Sequence, residues 1–276
     1  MTVVRGRRRS HHIALVCSLL MLASASMASD NASWSSGTAY TLPSGRWEKG
    51  LFQPLRYGQT GRLEWATHPV LNLVVPNLRI KVAHREFKGW SLATRHGFHY
   101  PTPLLRLVKR PGIGGLISPE SDIPEIPHIL AARSELLATR TLSQSVWLTG
   151  KGGVSVALKT GEIDERTTID LPLVFPRMAL FLHGYQLNLG ADLLTNLPGR
   201  WSIWTDVDLL MIPGAEESFS WEHKGLVIWS RSERFQVLVG YKLVCGAYPD
   251  YPKARTQWHL LPLIDLQWAR QRKAKS

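Results

Sequence analysis

Along most of this chain, apolar and polar residues alternate one by one. In "NLRIKV" (77–82), Leu78, Ile80 and Val82 share one parity, and Arg79 and Lys81 share the other. "GVSVALK" (153–159) sets Val154, Val156 and Leu158 against Ser155, Ala157 and Lys159. "RFQVLVGYKLVC" (234–245) and residues 258–268 repeat the pattern over longer spans. A period of two puts successive side chains on opposite sides of a strand, so each run predicts a strand with one apolar and one polar face. Turn-forming clusters separate the runs: "YGQTG" (57–61), "GKGG" (150–153), "NLPG" (196–199), "PGAEE" (213–217) and "YPDYPK" (248–253).

The pattern predicts about ten to twelve strands. They fall near 46–57, 62–72, 77–87, 89–100, 141–149, 153–160, 166–175, 178–190, 200–212, 218–231, 233–246 and 256–268. Pro54, Pro172, Pro176 and Pro262 lie inside these spans, where each removes a ladder donor. Residues 101–140 break the pattern. They are rich in Pro and Gly in the middle and are expected to form one long irregular excursion, a plug or cap, with a short helix over 127–138.

Several runs exceed the five or six residues usual in a soluble sandwich. A closed, lipid-spanning antiparallel barrel explains the length and both faces, with apolar side chains outward and polar ones inward. The fold class expected is therefore all-β, a transmembrane β-barrel of about 10–12 strands over residues 29–268. Trp90, Trp201, Trp258 and Trp268 stand near strand ends, where interfacial aromatic girdles belong.

The first 28 residues read as a signal peptide. Arg5, Arg7, Arg8 and Arg9 precede the apolar run "IALVCSLLMLA" (13–23), and small residues follow. That run is too short to cross a bilayer as a helix. Removing residues 1–28 takes four Arg and no acid, so the net charge of +12 falls to +8. Residues 269–276 form a basic tail with Arg270, Arg272, Lys273 and Lys275, leaving +4 on the body. No nucleic-acid motif accompanies this charge, and no nucleic-acid partner is expected. Cys17 lies in the signal segment, so Cys245 stands alone in the exported chain and no internal disulfide is expected.

The candidate chemistry centres on "RWSIWTDVDLLMI" (200–212). Asp206 and Asp208 share a face opposite Ile203, Val207 and Leu209. Paired carboxylates can do acid–base work or hold a hard metal. The simpler expectation is that they face the lumen, paired with Arg79, Lys81 or Arg234; Lys242 is a further lumen candidate. No metal site and no cofactor are expected. His96 and His99 fall on opposite faces, and no nucleophile elbow, helical zinc pair or phosphate loop is present. A lipid-processing role would need Ser, His and an acid to converge, for which His183, Ser143 and Ser145 are available residues.

"SGRWEKGLFQPLRYGQTGRLEWAT" (44–67) resembles the opening hairpin of uncharacterised, porin-like bacterial outer-membrane β-barrel proteins. Its corner is Tyr57-Gly58-Gln59-Thr60-Gly61-Arg62-Leu63-Glu64, with Gly61 where Asp or Asn is more usual. The last strand, with Leu266 and Trp268, looks like the aromatic-ended terminal strand of such proteins, followed here by eight further residues. The resemblance implies an outer-membrane location, contact with outer-membrane lipid and with the barrel-assembly machinery, and a structural or passive channel-type role with a polar lumen. It names no cargo. Two other readings stay open: an outer-membrane lipid-processing enzyme and a soluble periplasmic β-protein.

Overall fold

The computed structural model describes residues 34, 37–109, 123–164, 167, 175–213, 219–248 and 255–271. Twelve strands among them form one closed antiparallel barrel. They are β1 (Arg46–Gly50), β2 (Leu55–Thr60), β3 (Leu63–Thr67), β4 (Asn77–Ala83), β5 (Ser91–His99) and β6 (Ile129–Ser143). β7 (Val146–Lys159), β8 (Tyr185–Asn196), β9 (Trp201–Met211), β10 (Phe219–Ser232), β11 (Phe235–Tyr248) and β12 (Arg255–Gln271) complete it. Each strand pairs with its chain neighbours, and β1 closes the ring on β12 with Arg46 opposite Gln271 and Gly50 opposite Gln267. Closure leaves no free sheet edge where the ladder is complete, which is how a two-faced sheet satisfies its own backbone.

The two ends of the barrel differ. Strands β2–β3, β6–β7, β8–β9 and β10–β11 meet in tight turns at 61–62, 144–145, 197–200 and 233–234, with the β4–β5 turn over 84–90. The opposite end carries the longer connections, among them 68–76, 100–128 and 160–184.

Several expectations are corrected. Residues 127–138 are not helical, because β6 runs through them from Ile129. "ILAARSELLATR" has helix-forming residues, but it also alternates, and pairing on both sides with β5 and β7 decides the outcome. The 101–140 excursion therefore ends at 128. It opens with a short helix, α1 (Thr102–Val108), and residues 110–122 lie outside the described residues. "GKGG" is no turn: it lies inside β7, where Gly153 passes so close to β6 that an added Cβ would collide with the Ser134 carbonyl oxygen. The span 178–190 begins as α2 (Phe175–His183) and turns into β8 only at Tyr185. The span 46–57 is two strands, and 166–175 lies almost wholly outside the described residues. The barrel reaches Gln271, so residues 269–271 belong to β12 and only 272–276, outside the described residues, remain of the basic tail.

The prolines find separate explanations. Pro54 lies between β1 and β2, and Pro176 lies in the first turn of α2, where a missing N–H costs little. Pro172 lies outside the described residues. Pro262 sits inside β12, on a stretch that β1 does not reach. Ala269 N–H donates to the Arg234 carbonyl, just before β11, while the Leu266 carbonyl accepts from Leu51 on the β1 side. Even-numbered groups of β12 therefore point toward β1, and the Pro262 nitrogen points away from its one ladder.

The interior is filled from both ends. On the short-turn side, the segment 37–45 runs into the barrel, with Pro43 and Ser44 exposed and Thr38, Ala39 and Leu42 buried. Leu42 and Ala39 are fully buried; Ala39 N–H donates to Thr139 Oγ1 (2.8 Å) and Leu42 N–H to Glu64 Oε2 (3.0 Å). Gly58 makes this possible, since a Cβ there would strike the carbonyl oxygens of Leu42 and Pro43. On the other side, α1 and α2 cover the inner face of β6 and β7. Leu105, Met178 and Phe181 pack with Ile129, Ala131 and Ala157, while Ala179 reaches across to Val244 of β11 and Leu261 of β12.

Candidate functional site

Between these two fillings lies a polar cavity of about 180 Å³. Its walls are built by strand parity. On β9, Ser202, Trp204, Asp206, Asp208 and Leu210 face inward, and Ile203, Val207 and Leu209 face outward. Asp206 meets Lys224 of β10 at 2.5 Å, and the Lys224 ammonium also lies 4.0 Å from the Trp204 ring centroid. Asp208 meets Lys151 of β7 at 2.7 Å. These two strands are not neighbours. β8 lies between them, and its residue in register with both is Gly190. A Cβ on Gly190 would collide with Asp208 Oδ1 and press on Lys151, so the glycine is the gap through which the ion pair closes. Lys151 also holds Asp192 at 3.2 Å, and Trp204 Nε1–H donates to Asp192 Oδ1 (3.3 Å).

The facing wall is basic. Lys81 pairs with Glu64 at 3.3 Å, and its ammonium also donates to the Thr38 carbonyl of the lumenal segment. Arg56 pairs with Glu48 (2.8 Å), which also holds Arg46 (3.0 Å). Arg95 pairs with Glu135 (2.8 Å), and Arg133 pairs with the same carboxylate. Arg79 lines the cavity and enters no ion pair among the described residues. Six cations and four carboxylates line this space, so its field favours a small anion over a small cation.

The expected lumen residues therefore divide. Asp206, Asp208, Arg79 and Lys81 line one cavity. Lys242 also faces inward, but it joins a second cluster in which Glu222 accepts from it (2.5 Å) and from both terminal nitrogens of Arg177 on α2 (2.7 and 2.9 Å). Arg234 is corrected: it is exposed in the β10–β11 turn, outside the lumen. The expected partners of the Asp pair are corrected too, from Arg79, Lys81 or Arg234 to Lys224 and Lys151. Lys151 was hidden in a stretch resembling a turn, and Glu135 in one resembling a helix. Extending the alternation of β8 past residue 190 was the signal for Asp192.

Trp201 and Trp268 stand toward the short-turn end, as does Trp90 just before β5; Trp258 stands toward the other end, packed edge-on to Trp221 at 5.2 Å. Cys245 is buried between these last two, in register with both. Among the described residues no group of His, Cys, Asp and Glu is arranged to hold a metal. His183 lies at the end of α2, whereas Ser143 and Ser145 flank the β6–β7 turn at the opposite end, so these three do not converge. Instead, His96 Nδ1 and Ser134 Oγ share a hydrogen bond of 2.9 Å on the outward face of β5 and β6.

Comparison with protein-family models and with curated proteins gives no match.

Proposed function

We propose that this chain is a bacterial outer-membrane β-barrel of channel type, whose polar lumen admits small anions and is narrowed on the short-turn side by its own residues 37–45 and on the other side by α1 and α2. The observation that carries this reading is the inversion of the two faces. Outward positions are apolar and exposed, including Leu136, Leu158, Leu189, Val239, Leu260 and Ile264, while inward positions hold Glu48, Glu135, Asp192 and Glu222 in buried ion pairs. Soluble monomers rarely expose contiguous apolar surface on this scale. Strands β5–β12 contain between 9 and 17 residues, enough to cross a bilayer at barrel tilt. β1–β4 are shorter, at 5 to 7 residues, and the neighbouring connections expose Leu51, Phe52, Val70 and Leu73. Short turns at one end and longer connections at the other fit the periplasmic and outer sides of such a barrel.

Planar-bilayer recording tests the channel reading. The intact chain should conduct weakly, and a chain beginning at Pro43 should conduct more, with anion preference, through the passage that α1 and α2 still narrow. Silence from both, in protein that shifts on heating in a gel, would leave a purely structural barrel. Failure to shift or to enter membranes would favour a soluble periplasmic protein. The His96–Ser134 pair favours a second reading, hydrolysis of lipid at the outer face by a serine nucleophile. No carboxylate hydrogen-bonds His96 among the described residues, so its imidazole lacks an orienting partner. Phospholipid hydrolysis abolished by Ser134→Ala, with assembly intact, would establish that reading.

A further inference from the structure

The seam where the barrel closes carries a second feature on its outer surface, at the short-turn end. Two registered rows of outward side chains cross it. Tyr57, Trp47 and Arg270 form one row over β2, β1 and β12. Lys49, Trp268 and Phe235 form the next over β1, β12 and β11. Phe235 and Trp268 are in ring contact at 5.7 Å, and the Lys49 ammonium stands 6.0 Å from the Trp268 ring. Arg231, near the end of β10, and Arg234, in the β10–β11 turn, stand beside this floor. All of these but Lys49 line an open groove of about 1490 Å³.

The groove's charge is unspent. Arg231, Arg234 and Arg270 are exposed and enter no ion pair among the described residues. Glu233 is the acid in the same turn; its backbone carbonyl accepts from Arg46, whose guanidinium is occupied inside the barrel with Glu48. An aromatic floor suits the glycerol and upper acyl region of a lipid, and guanidinium groups bind phosphate through parallel hydrogen bonds. A purely apolar girdle would need no such cluster, and a solvated basic rim would need no aromatic floor.

We propose that this groove binds the phosphate headgroup of an anionic glycerophospholipid in the leaflet on the short-turn side, with Arg231, Arg234 and Arg270 as the phosphate ligands and Trp47 and Trp268 as the floor beneath the glycerol. The inference rests on the membrane reading above. The same chemistry would suit free phosphate, and the test separates the two.

Tryptophan fluorescence of the refolded protein is measured in phosphatidylcholine vesicles containing brominated phosphatidylglycerol or, in parallel, brominated phosphatidylcholine. Brominated phosphatidylglycerol should quench in preference, and each Arg→Gln change should reduce that preference by about fivefold. Arg231→Gln, Arg234→Gln and Arg270→Gln are made singly as well as together, and a heat shift on a gel reports that each barrel has folded. Equal quenching by both lipids in protein that shows the heat shift would overturn the lipid site and leave the membrane reading standing. No quenching and no heat shift would overturn the membrane reading itself. Loss of the preference on adding inorganic phosphate, at a salt concentration where chloride has no effect, would assign the site to free phosphate and overturn the lipid.

Discussion

Replacing Lys151 with Met should be among the most damaging single changes in the lumen. The ammonium serves two carboxylates, Asp192 at 3.2 Å and Asp208 at 2.7 Å, and Asp206 lines the same cavity. Removing it leaves Asp192, whose side chain is 4% exposed, without its cation. Breaking a buried ion pair by deleting one partner costs about 3–5 kcal/mol. Asp208 is 28% exposed and can turn toward the cavity, which places the cost near the lower end, about 3 kcal/mol. That corresponds to roughly a hundredfold in the folding equilibrium. Adding Asp192→Asn to Lys151→Met removes the stranded charge and should restore about half of the loss. The assay is reversible urea unfolding from vesicles, followed by tryptophan fluorescence and confirmed by the heat shift. A loss below about 1 kcal/mol for Lys151→Met, or no recovery in the double variant, would refute the ion-pair account.

Gly190→Ala should push apart Lys151 and Asp208 without deleting either, costing about 1–2 kcal/mol in the same unfolding assay, less than Lys151→Met. Val207→Arg places a cation on the outward face and should impair assembly by about 2–4 kcal/mol if that face meets lipid near the midplane, measured as folding yield into vesicles; Asp206→Asn should cost less. Gly58→Val should displace residues 37–45, seen as raised conductance and faster proteolysis of that segment with the heat shift retained. Arg79→Gln, in a chain beginning at Pro43, should lower anion preference measured as a reversal potential, because Arg79 is the cavity's cation without an ion pair among the described residues.

The closed all-β barrel was legible because its alternation is dense. Val237, Val239 and Tyr241 against Gln236, Leu238 and Lys242 settle the outward face of β11 even though Leu238 faces inward with the polar set. Legibility failed where a local signal competed with that period. The Ala, Leu, Arg and Glu of β6 favour a helix in isolation, and only two-sided pairing makes them a strand. The glycines around Lys151 resemble a turn, yet they lie within β7, and at Gly153 the neighbouring strand β6 approaches closely. The parity of Asp206 and Asp208 was readable, but their partners were not, since register across β8 to β7 is a tertiary property. The lumenal segment 37–45 carries no periodic pattern; its place depends on backbone hydrogen bonds to Glu64, Lys81 and Thr139.

If the barrel spans a membrane, the odd-numbered face of β9 meets lipid while the even-numbered face lines the lumen. Nitroxide labels placed one at a time along residues 201–211, in a Cys-free background in bilayers, test it most directly. Collision with oxygen, which concentrates in hydrocarbon, should peak at 203, 205, 207 and 209 and fall at 202, 204, 206 and 208. Collision with a water-soluble nickel chelate should stay low at the odd positions near mid-strand. Nickel accessibility at 205 and 207 equal to that of a soluble loop would contradict the membrane barrel, and loss of the two-residue period would contradict the strand itself.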